Sequence, residues 1–157
     1  MQTRGQASTH CLVPRTGSVE PGTAVSRAPE LWIACKVIDN FGDAGVCWRL
    51  ARQLAAEHAL RVSLVIEGEA TLAAIEPAYA ARRTAASGGH SDSGPSNAVR
   101  LAGVSILPWA GVAPGCPAGQ AVRDIVISAF GCELPGWLRQ LLAGGPGRPL
   151  WVNLEYL

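Results

Sequence analysis

Long apolar runs are what this 157-residue chain most lacks. No segment approaches the ~20 consecutive apolar residues that a membrane-spanning helix needs, and the first thirty residues hold no apolar core of the kind a signal peptide carries. The expectation is a cytoplasmic protein with no membrane partner. Charge is scarce as well: 16% of residues are Asp, Glu, Lys or Arg, and the net charge is +1. Nucleic-acid binders carry a basic stripe along which phosphates lie, so no nucleic-acid partner is expected. The five cysteines, at Cys11, Cys35, Cys47, Cys116 and Cys132, form no Cys-x-x-Cys pair and no Cys/His cluster. Neither a disulfide framework nor a zinc centre is implied, and no metal or cofactor is called for. Cys35 and Cys47 lie in apolar contexts and read as small buried hydrophobes in a reducing compartment. The full Gly-rich fingerprint of dinucleotide sites is missing too.

What is present is a series of short apolar segments alternating with segments of helical period. Residues 31–38 are apolar except for Lys36, the pattern of a strand covered on both faces of a parallel sheet. Beyond a tight turn, Val46, Cys47, Leu50, Ala51, Leu54 and Ala55 recur at helical spacing, with Arg49, Arg52, Gln53 and Glu57 opposite. That helix is expected to begin at Asp43 and end near His58. Residues 61–66 predict a second parallel strand and 69–83 a helix in two pieces, broken by Pro77. Residues 99–109 read as extended and 124–130 as another buried strand. A helix over 136–143, opened by Pro135 and stopped by the Gly144-Gly145-Pro146-Gly147 run, precedes a last strand in 149–157. Residues 1–30, without periodicity, read as a disordered extension, and residues 86–98 as a flexible insertion.

Strands alternating with helices predict an α/β domain: a Rossmann-like open parallel sheet with helices on both faces. Right-handed crossovers put every strand-to-helix turn on one edge of such a sheet. Asp39, Asp43, the turn at 131–133 and the end of the last strand then converge on one crevice, where ligands of open α/β sheets bind.

Asp39 and Asp43 bracket the first turn. Asp43 suits a helix N-cap, where its oxygen meets orphan amides and its charge the positive end of the dipole. Asp39 ends an apolar strand, so its carboxylate must be exposed or matched to a partner. Two acids at one strand mouth suit a cationic or proton-losing substrate. Asn40 tolerates the left-handed conformations of tight turns, Phe41 is expected to pack under the turn, and Gly42 and Gly45 allow close backbone approach. Glu133 and Glu155 are further acids at strand mouths, with a helix-cap or structural role favoured for Glu133. Trp48 and Trp151 read as packing residues, Trp151 at the start of a buried strand.

Residues Asp39 to Leu54, Asp-Asn-Phe-Gly-Asp-x-Gly-Val-x-Trp-Arg-Leu-Ala-Arg-Gln-Leu, resemble the N-terminal signature of the EarP family, the protein-arginine rhamnosyltransferases that modify bacterial elongation factor P. The stretches Ile125 to Pro135 and Leu150 to Leu157 agree with it, so the resemblance covers roughly residues 31–157. Ala44, Gly131, the leading thirty residues and the insertion depart from the pattern. The resemblance implies the N-terminal, acceptor-side half of a two-Rossmann-domain (GT-B) inverting glycosyltransferase. It would move L-rhamnose from dTDP-β-L-rhamnose to an arginine of elongation factor P, with Asp43 and Asp39 catalytic and Asn40, Phe41, Gly42 and Gly45 forming the acceptor turn. The nucleotide sugar would be held mainly by a C-terminal donor domain absent from this chain, leaving the fragment inactive alone. Two alternatives stay open: a glycosyltransferase of the same fold with a carbohydrate or lipid acceptor, and a non-catalytic docking domain for a translation factor.

Overall fold

In the computed structural model the described residues are 27–38, 40–87, 98–110, 124–144 and 147–156. The chain runs β1 (Glu30–Lys36), α1 (Asn40–Glu57), β2 (Arg61–Glu67), α2 (Glu69–Ile75), α3 (Pro77–Ser87), β3 (Val99–Leu101), β4 (Val104–Pro108), β5 (Ile125–Ala129), α4 (Gly136–Ala143) and β6 (Leu150–Leu154). Most of the expected segments appear close to their expected bounds, including the interruption at Pro77. The greater part of the expected insertion, residues 88–97, lies outside the described residues, as does most of the expected extension. The last residues of that extension are structured, contrary to expectation. Glu30 opens β1, and Asp124 accepts hydrogen bonds from the Glu30 amide at 2.8 Å and the Arg27 guanidinium at 3.1 Å.

The six strands form one sheet in the order β3-β4-β2-β1-β5-β6. The expectation of a parallel sheet needs one correction, because β3 pairs antiparallel with β4 through a two-residue turn at Ala102 and Gly103. Both central residues have positive φ, 49° and 80°, the conformation that matches a tight hairpin to strand twist. The other pairings are parallel. Successive parallel strands therefore step outward from β1 first through β2 to β4, then on its other side through β5 to β6. The point where that progression reverses, between β1 and β5, opens a crevice at the strands' carboxyl ends.

β1 is covered on both sides because its residues alternate between two cores. Leu31, Ile33 and Cys35 face α1 with Ala44, Cys47, Trp48 and Ala51, joined by Leu72 of α2 and Tyr79 of α3. Trp32 and Ala34 face the other way, toward Leu134 and Leu138 of the α4 segment. Small residues at 44, 47 and 51 let α1 lie close on the sheet. Trp48 is buried as expected, its Nε1 donating to Glu76 at 3.2 Å. Two apolar residues depart from expectation. Val46 is substantially exposed, and β6 is an exposed edge whose Leu150, Trp151 and Val152 all meet solvent, so Trp151 does not begin a buried strand.

Gly68, between β2 and α2, has φ +96°, and a Cβ there would lie 2.9 Å from the Val37 side chain. Gly103 also has positive φ, but its Cβ would meet Ala55 at an ordinary 3.5 Å. Gly68→Ala should therefore cost about 2–3 kcal/mol, strain plus clash, and Gly103→Ala only about 1 kcal/mol from the left-handed backbone. Urea unfolding of the two variants beside the parent chain checks both the order and the gap.

Candidate active site

The turn after β1 is tighter than its sequence indicates. Val37 still follows the sheet, its amide reaching Glu67 O at 3.3 Å, and α1 begins at Asn40 rather than Asp43. Asp43 consequently sits in the first helical turn and is not the N-cap. Its charge still favours the positive end of the dipole, but its carboxylate reaches backward. Oδ2 accepts from the Ile38 amide at 2.8 Å, and Oδ1 accepts from the Tyr156 hydroxyl. With 1% of its surface exposed, Asp43 is a buried acid whose two oxygens are both engaged, as a buried carboxylate requires. Asp39 lies outside the described residues, so its position relative to Asp43 is not part of this geometry.

The remaining turn residues divide. Asn40 supplies the first backbone unit of α1. Phe41 does not pack under the turn: it is 62% exposed, beside Ile38 at 72%. Gly42 faces solvent. Gly45 lies 3.9 Å, measured from an added Cβ, from Ile75 Cδ1, an ordinary contact that an alanine would keep. Its lack of a side chain is not what lets the helix start close to the sheet.

The opposite wall of the crevice comes from the ends of β5 and β6. Phe130 and Gly131 are both left-handed, with φ of 57° and 65°; for a bulky residue such as Phe130 this costs roughly 1–3 kcal/mol. The strained turn is tied down by the Phe130 amide, which donates to Leu154 O at 2.6 Å, and by Ser128 Oγ, which donates to Cys132 O at 2.6 Å. It places the Phe130 ring flat against Tyr156, centroids 4.3 Å apart and planes 11° from parallel. Tyr156 thereby bridges from the end of β6 to the first turn of α1. No periodicity marks it, since it follows the last strand residue.

The convergence expected of Asp43, the 131–133 turn and the end of β6 on one crevice is met only in part, because the two faces of the sheet divide it. Tyr156 turns toward Asp43 on the α1 side. On the α4 side an open groove of about 460 Å³ is lined by Gly131, Glu133, Arg139, Trp151, Asn153 and Glu155, among others. Glu133 does not cap α4, whose N-cap position is Pro135 without a side-chain hydrogen bond. Among the described residues no three His, Cys, Asp or Glu side chains are grouped to hold a metal ion, and no helix is long and apolar enough to cross a membrane.

An acid fixed beside the switch point of a Rossmann-like sheet defines the class: an α/β domain with a crevice at its strand mouths. Residues 31–157 match the family described as elongation factor P (EF-P) rhamnosyltransferase EarP. The chain is 41% identical over 126 residues to the protein-arginine rhamnosyltransferase of Pseudomonas aeruginosa, covering 80% of this chain and 29% of that protein. It is 36% identical over 126 residues to that of Neisseria meningitidis serogroup B, covering 80% and 28%, and 32% identical over 139 residues to that of Shewanella oneidensis, covering 84% and 31%. The chain thus spans less than a third of the length of these relatives, and it belongs to the EarP family.

Cys35 and Cys47 lie beneath this site, both fully buried and without a disulfide. The hydrogen bond to Cys47, burial, and the negative charge of Asp43 together push the Cys35 thiol well above its ordinary range. A raised pKa keeps the thiol protonated and unreactive at neutral and mildly alkaline pH. Iodoacetamide at pH 8 should leave Cys35 unmodified in the folded chain and alkylate it after denaturation, as peptide mass mapping will report.

Proposed function

We propose that this chain is the acceptor-side domain of an inverting, two-domain GT-B transferase that places L-rhamnose from dTDP-β-L-rhamnose on an arginine of elongation factor P. The observation that carries this reading is the Asp43 carboxylate, oriented at both oxygens beside the switch-point crevice, in a chain whose relatives are named protein-arginine rhamnosyltransferases.

Arginine is a poor nucleophile, because its guanidinium stays protonated and its nitrogen lone pairs are delocalised. A carboxylate can hold the planar cation, aim one nitrogen and accept its proton as the new bond forms. The bond made joins a guanidinium nitrogen to the anomeric carbon of rhamnose. The bond broken joins that carbon to the diphosphate oxygen, which leaves with the electron pair as dTDP. The nitrogen's proton goes to Asp43, and attack from the face opposite the leaving group inverts the anomeric centre. Asp39 orients the guanidinium or the base. Asn40, Phe41, Gly42 and Gly45 form the acceptor turn, where the exposed Phe41 and Ile38 supply an apolar rim beside the acid for the protein segment that carries the arginine.

Asp43→Asn in the full-length transferase should lower turnover about 10²–10⁴-fold, the range general-base catalysis supplies, and Asp39→Asn at least about tenfold. Donor affinity should change little in either. The check is the deoxyhexose mass increment on elongation factor P; wild-type rates in both variants would remove the mechanism. On this reading the donor is held mainly by a C-terminal domain outside these 157 residues, so dTDP-rhamnose titrated into the 157-residue chain should give no micromolar binding by calorimetry.

A further inference from the structure

We propose that Tyr156 is a positioning residue for the reaction, acting through Asp43; the proposal rests on the reading of Asp43 as the base. The torsion that turns a carboxylate about its Cβ–Cγ bond is soft, with broad minima. An acid held at one oxygen can therefore swing its lone pairs through a wide arc. In Asp43 both oxygens are held from separate elements: Oδ2 by the Ile38 amide of the β1–α1 turn, and Oδ1 by the Tyr156 hydroxyl beyond β6. The pair fixes the plane of the carboxylate, and with it the direction from which a proton can be taken.

Tyr156 is in turn held by its ring. It is 59% exposed, so core packing does not account for its placement. The ring lies flat on Phe130 at 4.3 Å, and Phe130 is itself set by a left-handed backbone with φ 57° and by the hydrogen bond its amide donates to Leu154 O. An unfavourable backbone at a bulky residue is the kind of local strain that clusters at functional sites. What this strain achieves is the delivery of one phenol hydroxyl to one buried carboxylate oxygen. The chain of effect runs from Phe130 to Tyr156 to Asp43, across the crevice between β5 and β1.

The test is steady-state kinetics of the full-length transferase carrying Tyr156→Phe, Phe130→Leu, Asp43→Asn, and the Asp43→Asn/Tyr156→Phe pair. Tyr156→Phe keeps the stacked ring and removes only the hydroxyl. It should lower kcat at least tenfold with acceptor KM within threefold, because orientation of the base is felt in the transition state and not in docking. Phe130→Leu leaves the hydroxyl but loosens its support, and should lower kcat three- to tenfold. The double variant should be no slower than Asp43→Asn alone, as expected when one residue acts only through the other. A purely structural role would instead lower the melting temperature and slow the double variant further, and that result overturns the proposal. So does a Tyr156→Phe kcat within twofold of wild type while Asp43→Asn is inactive, which leaves the base intact and removes only the positioning role. A wild-type rate in Asp43→Asn removes the base itself. Should Tyr156→Phe not fold, the Phe130→Leu kinetics decide: a kcat within twofold of wild type overturns the proposal.

Discussion

Because residues Glu30 to Cys35 of β1 are all buried, that strand has to be flanked by strands on both edges and covered by helices on both faces. Parallel pairing with β2 on one side and β5 on the other meets the first demand; α1 to α3 on one face and α4 on the other meet the second. A parallel neighbour is reachable only by a crossover, so the chain leaves β1 at its carboxyl end and returns from the opposite edge. The turn after β1 and the turn after β5 are thereby made neighbours in space, although some ninety residues separate them in the chain. The site exists because the central strand is buried.

Elements whose formation depends on local chemistry were legible. The α4 bounds follow from Pro135 at one end and the glycine run at the other, and the break between α2 and α3 from Pro77, because those residues act on their own backbone whatever surrounds them. The parallel strands follow from apolar runs too short for helices. The β3–β4 hairpin was not legible, since Ala102-Gly103 is not among the usual signals for a turn with two left-handed residues. The exposure of β6 was hidden for the opposite reason: Leu150, Trp151 and Val152 have the composition of a buried strand, and only the sheet order puts them on an edge. Composition reports what a segment could bury, not whether anything arrives to cover it.

At the site, the types of residue were legible and the partners were not. Two acids around a glycine-containing turn point to the crevice, and Asp43 is there. Its attachment to Tyr156 spans 113 positions, beyond any spacing rule, and the one-turn-earlier start of α1 decides which way the carboxylate points. Phe41 shows the same limit. A large apolar residue in a tight turn is expected to tuck beneath it, yet the helix starts so early that its side chain projects outward.

The burial of Asp43 bears directly on what it can do. A carboxylate withdrawn from water is tolerated only when hydrogen bonds replace its hydration, and the bonds from Ile38 and Tyr156 supply part of that replacement. The same bonds set its orientation. The hydrogen bonds that make the burial tolerable are the ones that orient the carboxylate, so burial alone does not argue against a catalytic role. The Ile38 amide ties the carboxylate to the turn through Oδ2. The hydroxyl from beyond β6 meets the need of the second oxygen, and because it comes through a phenylalanine held in an unfavourable backbone conformation it also ties that oxygen to the far wall of the crevice. The orientation of the carboxylate is thus set from both walls of the crevice, by elements that only the folded sheet brings together.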